Sequence, residues 1–406
     1  MTRLLLPALL LAATLPALRA DAPPDRWPAF RGTGDSLTSA KALPLKWSPT
    51  ENIAWTVELP GYGQSSPVVW KDRVFVTSAE GEFKDTLHVI RLDLATGKEA
   101  WKKSFRNTQR VKATDYVSKC APTPVVTADR VFALFESGDL LALDHAGKEV
   151  WRRNLEADFG PLRGNHGLGT SPVLAGNTLL VLVAQGSSYL LAVDAATGKD
   201  LWKADHPFGG SWTSPAVVTV EGKPAAVVSS PGLAAAFDVA TGAKQWELGG
   251  LTGNTVATPT PAGDLLVLGS SDRASQVAVR PGAKADERVA WRSAEGVSSF
   301  GSPLVYGKYG FSVSRDGVAV CFDPATGKSV WDHRLPGSCW ASPVGGAGHV
   351  YFFTKDGVTA VVKPGPEPEI VAENRLPGRG RVYGVAAVEG AFLVRTGSAL
   401  HKVVGK

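Results

Sequence analysis

Short apolar runs separated by turn residues dominate the chain, and almost none is long enough or correctly spaced for an amphipathic helix. Runs such as Arg73–Thr77 and Leu179–Ala184 hold four to six residues rich in Val, Leu, Ala and Phe. That length and composition predict buried strands. The runs are punctuated by two recurring signatures. The first is a Ser/Thr-Pro step before an apolar strand, at Ser66-Pro67, Thr123-Pro124, Ser171-Pro172, Ser214-Pro215, Thr258-Pro259, Ser302-Pro303 and Ser342-Pro343. A degenerate eighth copy begins at Val385-Ala386, and successive copies lie 40 to 57 residues apart.

The second signature closes each copy. It reads Asp93-Leu-Ala-Thr-Gly97-Lys-Glu-Ala-Trp101 and returns with Trp151, Trp202, Trp246 and Trp331; a drifted copy keeps Trp291. An Asp carboxylate folds onto nearby backbone N–H groups, Gly accepts the positive φ of the turn, and Trp opens the next strand. Four short strands per copy, repeated radially, predict an all-β fold, an eight-bladed β-propeller of four-stranded blades. An irregular sandwich of hairpins is the alternative, and the regular spacing argues against it. Each repeat Trp is expected to pack between neighbouring blades.

The eighth copy ends after Leu400–Val404 without its closing Trp strand. Ile53-Ala-Trp55-Thr-Val-Glu-Leu59 matches the missing piece, so this N-terminal segment is expected to complete the last blade and close the ring. In copy seven Ala372 stands where Trp is expected. The organisation read from sequence is therefore a signal peptide over 1–20, an extended leader over 21–51 and a propeller over 52–406.

The first segment carries Arg3, an apolar run from Leu4 to Leu18 broken by Pro7 and Pro16, and small residues at Ala20 and Ala22. This order predicts a secretory leader cleaved after Ala20, not a membrane anchor, which takes about 20 apolar residues. With no cysteine beside that site, a lipid anchor is not expected, and the destination is periplasmic or extracellular. Loss of residues 1–20 removes Arg3 and Arg19 and no acid, so the net charge falls from +5 to +3. The Lys and Arg residues are scattered, which argues against nucleic acid as a partner. A monomer is expected. Three separate cysteines, Cys120, Cys321 and Cys339, do not suggest a disulfide framework.

The block Ala192–Trp202, with its Asp, Thr-Gly-Lys and Trp, resembles the repeat of pyrroloquinoline quinone (PQQ)-dependent dehydrogenases. The same repeat is found in the assembly lipoprotein BamB and in secreted PQQ-binding-like propellers. Trp27-Pro-Ala-Phe-Arg-Gly32 and the segment Trp47–Ser66 look most like the last group, and the resemblance spans roughly 27–406. For the dehydrogenases it implies PQQ, an adjacent cysteine pair and a calcium site beside a catalytic Asp. This chain has no Cys-Cys pair, and no Asp/Glu/Asn cluster maps onto those ligands. PQQ as cofactor therefore rests on the resemblance alone, and no catalytic or metal-binding residues are assigned.

Candidate binding chemistry emerges when the copies are aligned on the proline. Three residues before it stand Gln64, Ala121, Gly169, Trp212, Val256, Phe300 and Trp340, with Tyr383 equivalent in copy eight. This position precedes the innermost strand and should ring one mouth of the channel. Trp212, Phe300, Trp340 and Tyr383 are thus expected to bind a flat or extended ligand or a protein segment. His166, Asn254, Arg379 and Arg381, in the same class of loop, are expected to add polar contacts. The competing expectation is that the aromatics only fill wedges between blades. The insertion Lys103–Cys120, with Arg106, Arg110, Lys112, Tyr116 and Lys119, is either a basic lip over the mouth or a solvated loop. Three functions follow: a non-enzymatic secreted binder of a protein or small molecule, a PQQ-dependent oxidoreductase, or a BamB-like assembly scaffold.

Overall fold

The computed structural model describes residues 23–109, 112, 114, 118–162, 164, 166–293 and 295–405. Residues 1–20, expected to be a secretory leader, and residues Arg110 and Tyr116 of the basic insertion lie outside the described residues. Eight antiparallel sheets form eight propeller blades. The inner strands are Val68–Trp70, Val125–Val126, Val173–Ala175, Ala216–Val220, Thr260–Ala262, Leu304–Tyr306, Val344–Gly346 and Gly384–Val388, for blades 1 to 8. The sole α-helix among the described residues is one turn, Leu155–Phe159, capped by the Asn154 side chain. No described helix is long and apolar enough to cross a membrane.

The ring closes as the sequence indicates. Ile53–Glu58 pairs antiparallel with Ala399–Val404 and forms the outer strand of blade 8. Trp55 lies opposite Lys402, just as Trp202 lies opposite Ala192 and Trp331 opposite Cys321. Ala372 holds the corresponding place in blade 7, opposite Val361.

Six of the seven repeat tryptophans, all but Trp246, join one blade to the next through an indole hydrogen bond. The indole N–H of Trp151 donates to the carbonyl of Ala195 at 3.0 Å, and that of Trp202 to Val239 at 2.9 Å. Trp55, Trp101, Trp291 and Trp331 make the same bond to the following blade. Each of these acceptors lies in the next blade's Asp-to-Trp turn or its counterpart. Gly242 shows why that turn needs glycine. Its φ is +74°, and a Cβ there would stand 2.6 Å from the Trp202 ring. Ring and turn backbone pack face to face, and no larger residue leaves room.

The Ser/Thr before each proline carries a second blade-to-blade link. Backbone N–H groups donate to the next blade's hydroxyl, Ser66 to Thr123, Thr123 to Ser171, Ser171 to Ser214 and Ser214 to Thr258, at 2.9–3.0 Å. Thr258 to Ser302 and Ser302 to Ser342 continue the series at 3.0 Å. The hydroxyls satisfy buried donors that would otherwise have no partner.

The leader does not lie outside the ring. Arg26–Trp27 adds a short fifth strand to the inner edge of blade 1. Trp27 is fully buried. Arg31 reaches across the channel, donating to Ser36 Oγ at 3.0 Å, Thr260 Oγ1 at 2.9 Å and the Pro303 carbonyl at 2.6 Å. Farther on, Leu37 bridges the inner strand of blade 7. The Glu389 carboxylate then accepts the N–H groups of Lys41 and Ala42 on blade 8. With the Val126 N–H of blade 2 donating to the Pro28 carbonyl as well, the leader ties blades 1, 2, 5, 6, 7 and 8 together through the axis.

Candidate functional site: an aromatic arc at the channel mouth

The loops entering the inner strands bring most of the aligned aromatics together. The Phe300 and Trp340 rings are 5.4 Å apart, and the Trp340 and Tyr383 rings 5.7 Å, edge to face. Tyr383 continues to Tyr62, with ring centroids at 5.9 Å and the two hydroxyls hydrogen-bonded at 2.7 Å. Four half-buried rings from blades 6, 7, 8 and 1 thus form one arc. The separations and tilts suit aromatic quadrupoles. Two cations sit on it: the Arg381 guanidinium lies 4.4 Å from the Trp340 centroid, and Lys119 Nζ 4.7 Å from that of Tyr62. Arg379 is exposed in the same loop as Arg381.

The other expected residues lie elsewhere. Trp212 packs against exposed His166, rings 5.7 Å apart, and its indole donates to the Gly167 carbonyl at 2.9 Å. This pair stands apart from the arc, at blades 3 and 4. Asn254 is 2% exposed, and its amide donates to Ser229 Oγ at 2.9 Å and to the Ser230 and Leu233 carbonyls. Its side chain holds a turn of blade 4 together and does not face the mouth. Two arc members escaped the alignment. Tyr62 lies two residues ahead of the aligned Gln64, and Lys119 one residue before Cys120. Gln64 joins them, because its carbonyl side chain accepts the Lys119 N–H at 2.8 Å.

A buried polar layer supports the arc. Arg395, fully buried, donates to the Gly63 carbonyl at 3.2 Å and the Gly397 carbonyl at 3.1 Å. Burial pulls its guanidinium down to about 10. Ser118 donates to Glu136 at 2.7 Å and to the Leu168 carbonyl at 3.0 Å, and accepts Lys84 Nζ on its own carbonyl at 2.9 Å, lacing the loops of blades 1, 2 and 3. The leader supplies the floor: Trp27, Phe30 and Arg31 face Phe300, Trp340 and Tyr383 across a space of about 40 Å³.

The surface offers stacking faces and two cations. It offers no activated nucleophile among the described residues. Burial pushes Cys321 and Cys339 up to about 12, and raises Cys120 well above its ordinary value with help from Glu136. All three cysteines are free and buried. No group of three His, Cys, Asp or Glu among the described residues is placed to hold a metal. PQQ would need a flat space on the axis, a calcium ligand set and a cysteine pair. Trp27, Phe30 and Arg31 occupy the axis under the arc, and the described carboxylates do not converge, so these residues do not fit that group.

Comparison with known proteins places the fold. The family described as outer membrane protein assembly factor BamB matches residues 37–186, 145–296 and 278–363. The chain belongs to that family. It is similar to the BamB of Shewanella oneidensis, 27% identical over 54% of this chain and 58% of that one. It is also similar to the quinohemoprotein alcohol dehydrogenase ADH IIB of Pseudomonas putida, 27% identical over 59% of this chain and 33% of that enzyme. The chain therefore spans less than two thirds of the length of these relatives. Among solved structures, BamB from Moraxella catarrhalis superposes with a TM-score of 0.63 at 16% identity, covering 87% of this chain and 97% of that one. A europium-containing methanol dehydrogenase gives 0.67 at 14% identity, covering 93% and 90%. These two likenesses show the propeller fold.

Proposed function

We propose that this BamB-family propeller is an exported, non-enzymatic binding protein that holds a segment of a partner protein against the arc of Phe300, Trp340, Tyr383 and Tyr62. The observation that supports it is the arc itself: four touching, half-buried rings at a channel mouth, with Arg381 and Lys119 stacked on them. Large rigid aromatics with an adjacent guanidinium are the residue types that concentrate binding energy in protein interfaces. The cations favour a segment carrying carboxylates beside its apolar side chains. Two relatives are named as outer membrane protein assembly factors, which favours a scaffold, while others at similar identity are quinone-dependent alcohol dehydrogenases.

The test is enrichment of envelope proteins on the purified propeller. Alanine at both Trp340 and Tyr383, in a variant with unchanged circular dichroism and thermal unfolding, should remove the protein that the unaltered chain enriches. A partner retained at full strength would show that the mouth is not the contact surface.

A further inference from the structure

Farther along the inner strands the leader leaves the channel unfilled. A cavity of about 430 Å³ is lined there by Phe30 of the leader, Trp70, Val126, Val173, Leu174 and Ala216, among others. Its size falls in the range of ligand sites, roughly 300–1,000 Å³. Val173 and Leu174 are half-exposed to it, whereas Val68, Val69, Val125 and Val126 of the neighbouring inner strands are buried.

The inner edges of the blades face the axis, and the leader shows what they bind. In an antiparallel hairpin, alternate residues turn their N–H and C=O away from the partner strand. Two residues after the repeat proline, that outward-facing backbone points into the channel. In blade 1 it is Val69, and Trp27 pairs with it. In blade 2 it is Val126, whose N–H donates to the Pro28 carbonyl at 2.8 Å. In blade 7 it is Gly345, which donates to the Ser36 carbonyl at 3.0 Å and accepts the Thr38 N–H at 3.2 Å. Blade 5 has Pro261 there, which has no N–H to satisfy. In blade 3 the residue is Leu174, opposite Leu179 in the register. Among the described residues its N–H has no partner.

We infer that the inner edge of blade 3 at Leu174 takes an extended, apolar segment of a partner protein, added as a strand in the way that Trp27 and Pro28 add to blades 1 and 2. The apolar walls would hold alternate side chains and the Leu174 amide would fix the register. The site is continuous with the surface that the leader already covers, and distinct from the mouth arc.

Fluorescently labelled, capped hexapeptides in which Val, Leu or Phe alternate with Ser test this by anisotropy on the full chain. At least one should bind at micromolar concentration. Leu174→Pro, which removes the donor at a place where blade 5 already carries proline, should weaken that binding at least tenfold. Leu174→Ala, which keeps the amide, should weaken it less. Should the proline variant fail to fold, hydrogen exchange at the Leu174 amide of the unaltered chain should slow at least tenfold with the peptide bound. Absence of binding by every peptide, equal binding by Leu174→Pro, or unchanged exchange would overturn the inference. So would binding of only a compact apolar dye, such as anilinonaphthalene sulfonate, with no peptide competing.

Discussion

Ser214→Ala separates a stabilising hydroxyl ring from a mere sequence signature. Ser214 is 2% exposed, and its hydroxyl accepts the buried N–H of Ser171 at 2.9 Å. Ala keeps the backbone and nearly the same volume, so the change leaves that N–H without a partner and creates almost no cavity. The cost of an unpaired buried donor is about 1–3 kcal/mol. With about 2.1 cal/mol/K of unfolding entropy per residue over roughly 380 residues, 2 kcal/mol corresponds to about 2–3 °C in Tm. Urea unfolding followed by tryptophan fluorescence measures the difference directly from the midpoint at constant slope. Ser214→Thr is the control, because Thr123 and Thr258 perform the same role in other blades. The threonine variant should stay within about 0.5 kcal/mol of the parent. An alanine variant as stable as the parent, or a threonine variant as damaged as the alanine one, would refute the ring's role.

Other outcomes follow from particular groups. His401 is 4% exposed in the strand that receives the closing segment, hydrogen-bonded to Thr56 Oγ1 at 2.9 Å, and burial lowers it to about 4. The unfolded value is near 6.5, so the fold favours the neutral ring: its stability is full above about 6.5 and is lost as pH falls toward 4, by about 3 kcal/mol. His401→Asn should flatten that part of a urea-midpoint profile measured from pH 7 to 4. The three cysteines should react with Ellman's reagent only after denaturation, and reductant should not change mobility on a gel. After incubation with PQQ and calcium, desalted protein should retain no quinone absorbance, and retained quinone would contradict the reading of the channel.

How much was readable in the sequence depended on whether the cause was local or repeated. The turn from Asp194 to Trp202 announces itself because its Asp, Gly and Trp all act within one hairpin and its neighbour, and the pattern recurs. Closure by Ile53–Glu58 was readable because the missing Trp strand of blade 8 has a recognisable copy at Trp55. The leader's course was not. Trp27-Pro-Ala-Phe-Arg-Gly32 has no strand pattern, and Arg31 finds its partners at Thr260 and Pro303, more than 220 residues away. At the mouth, alignment on the proline found Phe300, Trp340 and Tyr383 because they share one backbone position. It missed Tyr62 and Lys119, which reach the arc by loop geometry peculiar to blades 1 and 2. Asn254 misled for the converse reason: its loop position matches the others, but its amide turns inward to Ser229.

The most direct test of the account is photocross-linking at the arc. Benzoylphenylalanine in place of Phe300 is compared with the same residue in place of Leu201, a 50% exposed side chain on an outer strand of blade 3. In envelope of the source cells, the account predicts a discrete partner adduct from position 300 and none from position 201. An adduct from position 201 alone, or the same adduct from both, would contradict it.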